Sequence, residues 1–302
     1  MKRLLKWIGY TVGGLAMIIV LALAVVYVLS SRRMSKTYPP TQAAADAEAL
    51  AIPTDSLSIE RGHHLVIAVG KCTGCHGDNL AGKLISDDRA FARLWSANLT
   101  RGKGGVGTTY TNADYVRAIR YGLKADGKPL IFMPSDAYTH FSDADLATII
   151  AYVKSVPPVD QVTAPPRIGP VMRALSVMIP EFPLVPAEDI NPGEARPASV
   201  PASVTAEYGD YLITTGGCKS CHNPNLSGGS KIQGVAVANL TPTAIGKWSE
   251  ADFFKALRTG VRPDGRILSA VMPWPETKNL TDDELRAMWM YIRNVQPRPT
   301  GG

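Results

Sequence analysis

Apolar residues run without a charge from Ile8 to Leu29, and beyond that they recur three and four positions apart. The first pattern predicts a helix of 22 residues, enough at about 1.5 Å per residue to span a bilayer core of about 30 Å. A cleaved signal peptide would carry a shorter apolar core, about 7–15 residues, before a small-residue cleavage site. This run ends instead on Tyr27-Val28-Leu29-Ser30-Ser31-Arg32-Arg33, so an uncleaved anchor is expected. Trp7 and Tyr10 suit a membrane interface, and Gly9 with Gly13 can pack on another helix. The second pattern predicts amphipathic helices. One covers about Ile59 to Val69, a second carries Tyr115, Val116 and Ile119, and a third carries Leu146, Ile149, Ile150 and Val153. Three more follow: about Glu207 to Thr214, one with Phe253, Phe254 and Leu257, and one with Leu285, Met288, Trp289 and Ile292. Thr111, Ser142, Ser249 and Thr281 stand as N-caps, each with an acid three residues on that can reach back. No strand-like alternation is visible, so the expected fold class is all-α.

The helices repeat because the chain does. At an offset of 146, Cys72, His76, Asn79, Leu80 and Gly82 match Cys218, His222, Asn225, Leu226 and Gly228. Ala97-Asn98-Leu99-Thr100 then matches Ala238-Asn239-Leu240-Thr241, Arg120 falls on Arg258, and Met133-Pro134 on Met272-Pro273. The first copy is longer by five residues before the Asn. The expected organisation is an anchor with basic flanks at 1–36, a tether at 37–57, one helical domain at 58–156, a linker at 157–206 and a second helical domain at 207–297. The linker holds eleven prolines, which exclude one long helix, although Ile168 to Ile179 is apolar enough for a short packed one. It is expected to lie along both domains.

Charge changes the picture little. The net charge is +6, but six of the 32 basic residues flank the apolar run and 26 remain against 26 acids. A basic surface for nucleic acid is therefore excluded.

The cysteines carry the chemistry. All four fall in Cys72-Thr73-Gly74-Cys75-His76 and Cys218-Lys219-Ser220-Cys221-His222, a spacing that reads as covalent attachment of a c-type haem. Two thiols at i and i+3 can bond the two vinyl groups of one porphyrin, and the His that follows reaches the iron. A zinc site or a redox dithiol would not call for that His. Met133 and Met272, each before a Pro that keeps the backbone extended, are the expected thioether ligands on the opposite face. His63, His64 and His140 are competing ligands for the first iron, and none has a counterpart in the second copy. Tyr110 and Trp248, Arg120 and Arg258, and Asn98 and Asn239 are candidates to meet haem propionates. The glycine-rich stretch from Arg101 to Gly107 lacks the ending of a phosphate loop and reads as a loop beside the first haem. Basic residues are equal on the two sides of the apolar run, so the haem sites set its orientation. Haem c is attached outside the bacterial cytoplasmic membrane, which places the amino terminus in the cytoplasm and the haem domains on the periplasmic side.

Asn239-Leu240-Thr241-Pro242, Gly246-Lys247-Trp248-Ser249-Glu250-Ala251-Asp252-Phe253, the run from Ala256 to Gly265, and Met272-Pro273 resemble the cytochrome c subunits of bacterial membrane-bound alcohol, aldehyde, gluconate and sorbitol dehydrogenases. The resemblance covers about 200 residues and is stronger in the second copy. It implies two tandem cytochrome c domains behind one N-terminal transmembrane helix. It implies one haem on Cys72, Cys75, His76 and Met133, and another on Cys218, Cys221, His222 and Met272. It also implies an electron carrier that is not itself an enzyme, with a dehydrogenase as donor and quinone, an oxidase or a soluble cytochrome as acceptor. Those subunits commonly carry three haems and a carboxyl-terminal anchor, where this chain shows two attachment motifs and an amino-terminal apolar run. The alternatives are the dihaem subunit of a haem-copper oxidase and a dihaem peroxidase, which would need an open iron site.

Overall fold

The apolar run lies within α1, Lys2–Ser35, one helix long and apolar enough to cross a membrane, with none of its central apolar window buried against the rest of the chain. Its last turn carries Arg32 and Arg33, which complement the carbonyl end of the helix. The computed structural model describes residues 2–39, 41–179 and 182–302.

The segment expected as a tether is packed. Helix α2, Thr41–Ala49, lies against α5, Asn112–Tyr121, and Leu50 is buried. The reason is one arginine. Arg120 is 1% exposed, and it pairs with Asp46 at 3.2 Å and Asp143 at 2.9 Å while donating to the Phe141 carbonyl at 3.0 Å. Tyr121 adds an O–H donor to Asp46 at 2.5 Å. Removing the cation takes the charge partner from two carboxylates beside a core. Arg120→Leu is therefore expected to cost about 3 kcal/mol, read from the urea midpoint; an unchanged midpoint would refute the role.

Each half is built on one close helix crossing, at Gly62 in the first and at Gly209 in the second. In the first, α3, Ser56–His64, continues through a π turn, Leu65–Val69, to α4, Cys72–His76; α5, α6 (Ser135–Tyr138) and α7 (Asp143–Ser155) follow. After α8, Pro170–Met178, the second half repeats them as α9 (Ala206–Thr215), α10 (Cys218–His222), the short α11 (Pro242–Ile245), α12 (Glu250–Thr259), α13 (Trp274–Thr277) and α14 (Asp282–Asn294). The expected caps close these helices: Thr111 and Ser249 form capping boxes with Asp114 and Asp252, Thr281 forms one with Glu284, and Ser142 accepts from Asp145 N–H.

The π turn shifts the register of the repeat. Helix α3 crosses α7 at Gly62, where a Cβ would stand 2.0 Å from Thr148 O; α9 crosses α14 at Gly209, where a Cβ would stand 2.0 Å from Ala287 O. Gly62 therefore corresponds to Gly209, and His64 to Tyr211. The constant offset, which set Gly209 and Asp210 against His63 and His64, is off by the one residue that the π turn inserts.

The all-α class holds with small additions. Strands β1, Leu84–Asp88, and β2, Ala92–Trp95, form an antiparallel hairpin extended by β3, Arg167–Ile168; β4, Lys231–Ile232, and β5, Val235–Ala236, form a two-residue ribbon at the same place in the second half. The five extra residues of the first copy are the longer hairpin. Four of the five β1 residues are exposed and a bulge interrupts its pairing between Leu84 and Ser86, so no alternation marks it.

The linker is folded onto the first half. Leu184 and Val185 are buried, Pro197 and Ala198 carbonyls accept Asp143 and Ala144 N–H at the start of α7, and Arg196 donates to Thr139. Near its end, Val200 packs against the core.

The halves meet across α3, α7, α9 and α14 in a pseudo-twofold arrangement. His64 Nε2 lies 2.8 Å from both Glu284 carboxylate oxygens, and Tyr211 donates to Asp145 at 2.7 Å, an equivalent pair. Arg61 lies between them, 3.2 Å from Asp145, 3.8 Å from Glu284 and 3.3 Å from Tyr208 Oη. Burial alone would raise the Glu284 pKa; the His64 bond and charge, the Thr281 N–H and Arg61 outweigh it and hold the carboxyl below its ordinary 4.5. A lowered folded-state pKa stabilises above the unfolded value and is lost as pH falls through the folded one. Glu284→Gln is thus expected to cost about 1–2 kcal/mol at neutral pH and to flatten the loss of stability below pH ~4.3; parallel acid profiles for the two proteins would refute it.

Candidate haem sites

Left-handed residues pin both attachment turns. Lys71 (φ 51°) and Gly217 (φ 71°) lead into α4 and α10, and Gly77 (φ 78°) and Asn223 (φ 67°) lead out. One helical turn between them sets the two Cys of each motif on one face, with the His beside them. His76 Nδ1–H donates to Ala97 O at 2.8 Å, and His222 Nδ1–H to Ala238 O at 2.7 Å. Those bonds turn each Nε2 lone pair outward, the arrangement a ligating imidazole needs. Burial lowers the pKa of both imidazoles against the opposing carbonyl bond, which favours the neutral form.

Each accepting carbonyl is held by the next residue. Asn98 and Asn239 are buried, and their amides bond backbone groups in place of the expected propionate. Asn98 accepts Thr100 N–H at 2.9 Å and donates to Val159 O at 2.8 Å; Asn239 accepts Thr241 N–H at 2.7 Å and donates to Arg298 O at 2.8 Å. In both halves the Asn ties the loop bearing the His acceptor to the strand of chain that leaves the last helix. Arg120 is spent on the ion pairs above, and Arg258 on the Lys278 carbonyl at 2.7 Å and Asp282 at 2.5 Å. Both arginines are thus committed to protein partners.

A cavity of about 440 Å³ brings Cys72, Cys75, His76 and Met133 together, a size within the usual range for bound cofactors. Its walls are mostly apolar: Leu99, Ile119, Leu130, Phe132 and Phe141 among them, with Tyr110 as expected and Val106 from the glycine-rich loop. Phe132, at φ 61°, turns the chain just before Met133, and both side chains line the cavity. His63 packs at a tilt against the Tyr152 ring, His64 is taken by Glu284, and His140 lies 3.7 Å from Glu194; none of the three lines the cavity. In the second half, Met272 follows a loop closed by the same bonds, Leu268 N–H to Gly260 O matching Leu130 N–H to Gly122 O, both at 2.7 Å. Cys218, Trp248 and Met272 pack against its core.

The donor set fits a covalently held porphyrin. Burial pushes the Cys72 thiol up to about 12 and raises Cys75, Cys218 and Cys221 as well, so neither pair is poised as a reactive thiolate couple. Among the described residues no group of three or more His, Cys, Asp or Glu converges as on a zinc ion. An apolar chamber lined by two thiols, an imidazole whose Nδ1 is already bonded and a thioether suits haem.

Three features lay beyond sequence reasoning. Thr163 to Pro166, from the linker, close the first cavity. The first site therefore extends past residue 156, and nothing in the second copy marks those positions. Tyr138 donates its hydroxyl to Gly70 O beneath α4. Finally, the two attachment turns sit back to back: Lys71 Nζ donates to Val69 O at 3.0 Å and to Gly216 O at 2.6 Å, joining the residues just before each motif. Gly74 approaches Glu276 of α13, and Ser220 donates to Asp136 of α6 at 2.9 Å, so each motif rests on the helix that follows the other half's Met-Pro.

The comparisons agree with this geometry. Residues 206–296 match the family model described as cytochrome c, and residues 58–153 match that described as cytochrome c oxidase, cbb3-type, subunit III. The chain is a tandem cytochrome c with two covalently bound haems. It is similar to the cytochrome c subunit of a quinone alcohol dehydrogenase from Gluconacetobacter polyoxogenes, 28% identical over 81% of this chain and 57% of that protein. It is likewise similar to the cytochrome subunit of fructose dehydrogenase from Gluconobacter japonicus, 29% identical over 81% of this chain and 54% of that one. A dihaem c-type cytochrome from Cereibacter sphaeroides is 24% identical over 62% of this chain and 66% of its own length. The chain thus spans somewhat over half the length of the first two relatives.

Proposed function

We propose that this chain is a membrane-anchored dihaem electron carrier that accepts electrons from a dehydrogenase at the periplasmic face of the bacterial cytoplasmic membrane and passes them towards quinone, an oxidase or a soluble cytochrome. In this reading Cys72 and Cys75 hold one haem and Cys218 and Cys221 the other, with His76 and Met133, and His222 and Met272, as iron ligands. When bound, each haem supplies one-electron chemistry. The chain's own part is to fix each imidazole through a backbone carbonyl, to present a thioether opposite it, and to exclude water behind apolar walls. The observation that carries the proposal is the back-to-back placement of the two attachment turns, joined through Lys71. It joins the two attachment motifs within one chain, which supports electron exchange between two haems held there. The dehydrogenase relatives support the donor class, and α1 supports the anchor.

The match of residues 58–153 to an oxidase-subunit model favours a second reading, in which the partner is a haem-copper oxidase. Affinity purification of the tagged full-length chain from native membranes separates the two. Recovery with a substrate-reducible dehydrogenase, whose substrate reduces both haems, supports the first reading. Recovery with an oxidase core and no dehydrogenase overturns it in favour of the second.

A further inference from the structure

We propose that α8 and the β1–β2 hairpin form a second membrane contact, a lipid-facing surface that rests on the bilayer beside the end of α1. This rests on the reading of α1 as a membrane span. The depth of α8 follows from its hold on that helix. Arg173 lies over the Tyr27 ring at 4.5 Å, and its Nη1 donates to Ser30 and Ser31 hydroxyls at 2.9 and 3.0 Å. In return Arg33 of α1 donates to the Ser176 carbonyl at 2.6 Å and the Phe182 carbonyl at 3.1 Å, and pairs with Glu188 at 2.7 Å. Tyr27 lies two residues before the end of the apolar run, a rise of only about 3 Å. A helix clamped there lies where hydrocarbon gives way to headgroups.

At that level α8 turns apolar side chains outward. Val171 is 38% exposed and Met178 75%, seven residues apart on one helical face, with Ile179 beside them, while Arg173 and Ser176 point back to α1. The hairpin continues the surface. Gly169 and Val171 N–H groups bond Phe91 and Ala90 carbonyls at 2.7 and 2.9 Å, and Leu84 and Phe91 are exposed. Exposed Arg32, Arg89 and Arg167 supply cations for phosphate headgroups. The nearby acids are engaged: Asp87 pairs with Arg93 at 2.6 Å, and Asp88 accepts Ala90 N–H at 2.7 Å. A short helix with an apolar face and basic residues about it is the form of an interfacial element. Continuity with α1 favours lipid over a docked protein. Ile85, Leu94 and Trp95 of the hairpin also line the first haem cavity, so this contact makes the first site the membrane-proximal one.

The test uses the full-length haem-loaded protein in nanodiscs of phosphatidylcholine and phosphatidylglycerol. Haem attachment consumes the four native thiols, so Met178→Cys or Phe91→Cys each provides a single site for a nitroxide. Leu21→Cys reports on α1, and Ile267→Cys, at a residue 75% exposed in the second half, reports on water. The labels at 178 and 91 are expected to favour collision with oxygen over a nickel chelate, as at 21, with the reverse at 267. Nickel access at 178 and 91 with a lipid-like label at 21 overturns the contact and spares the anchor. Screening of 178 and 91 from both agents shows a protein cover, a partner or second copy, and also overturns it. Nickel access at 21 removes the anchor and this proposal with it.

Discussion

Met133→Ala is expected to leave the first haem covalently attached while abolishing its near-infrared sulfur-to-iron band and lowering its potential. The Cys72 and Cys75 thiols lie on α4, a separate element from the loop that bears Met133, so attachment does not depend on the thioether. The loop that bears Met133 is closed by backbone bonds, Leu130 N–H to Gly122 O at 2.7 Å and Ser135 N–H to Met133 O at 2.7 Å, which survive truncation to Ala. What disappears is the thioether proposed as ligand. Thioether opposite imidazole favours the reduced iron, so its loss should shift the equilibrium at least tenfold towards oxidised, ~59 mV for one electron. The second haem, held through Met272, should keep its band and potential, and Met272→Ala should invert the pattern. A titration in which Met133→Ala leaves both haems unchanged would dismiss Met133 as a ligand.

The second large effect is mechanical. Gly209→Ala places a Cβ 2.0 Å from Ala287 O and 2.5 Å from its carbonyl carbon, contacts that only a shift of α9 against α14 can relieve. Those helices form the centre of the second half and carry Glu284 and Tyr211 to the junction. Overpacking of this kind costs about 3 kcal/mol. It is expected as a lower urea midpoint and a poor yield of protein carrying two haems. Gly62→Ala should do the same in the first half, whereas Gly193→Ala, whose Cβ would find Asn191 Oδ1 only at 3.6 Å, should leave stability within about 0.5 kcal/mol of the parent. Equal midpoints for Gly209→Ala and Gly193→Ala would refute the close crossing.

Much of this architecture was legible because local rules and global fold agree. The caps at Thr111, Ser142, Ser249 and Thr281 and the helical spacing behind them appear where the sequence places them. The pentads could be read because their chemistry demands adjacent residues. Partners distant in sequence could not. Asp46 binds Arg120 across 74 residues, and no local pattern shows that the supposed tether is a packed helix. Asn98 and Asn239 looked like propionate partners because their repeat placed them near haem; their true acceptors, Val159 O and Arg298 O, lie 61 and 59 residues on. The π turn escaped because one inserted residue leaves composition and periodicity almost unchanged. The closing of the first cavity by Thr163 to Pro166 has no second copy to reveal it.

The central claim is that two irons are each held between an imidazole and a thioether on one chain. Near-infrared magnetic circular dichroism of the oxidised full-length protein, scaled to its covalently bound haem, counts such irons directly. The expected signal is that of two His/Met-ligated haems per chain. A signal for one or none, with two haems attached, would contradict the ligand assignment on which the account stands.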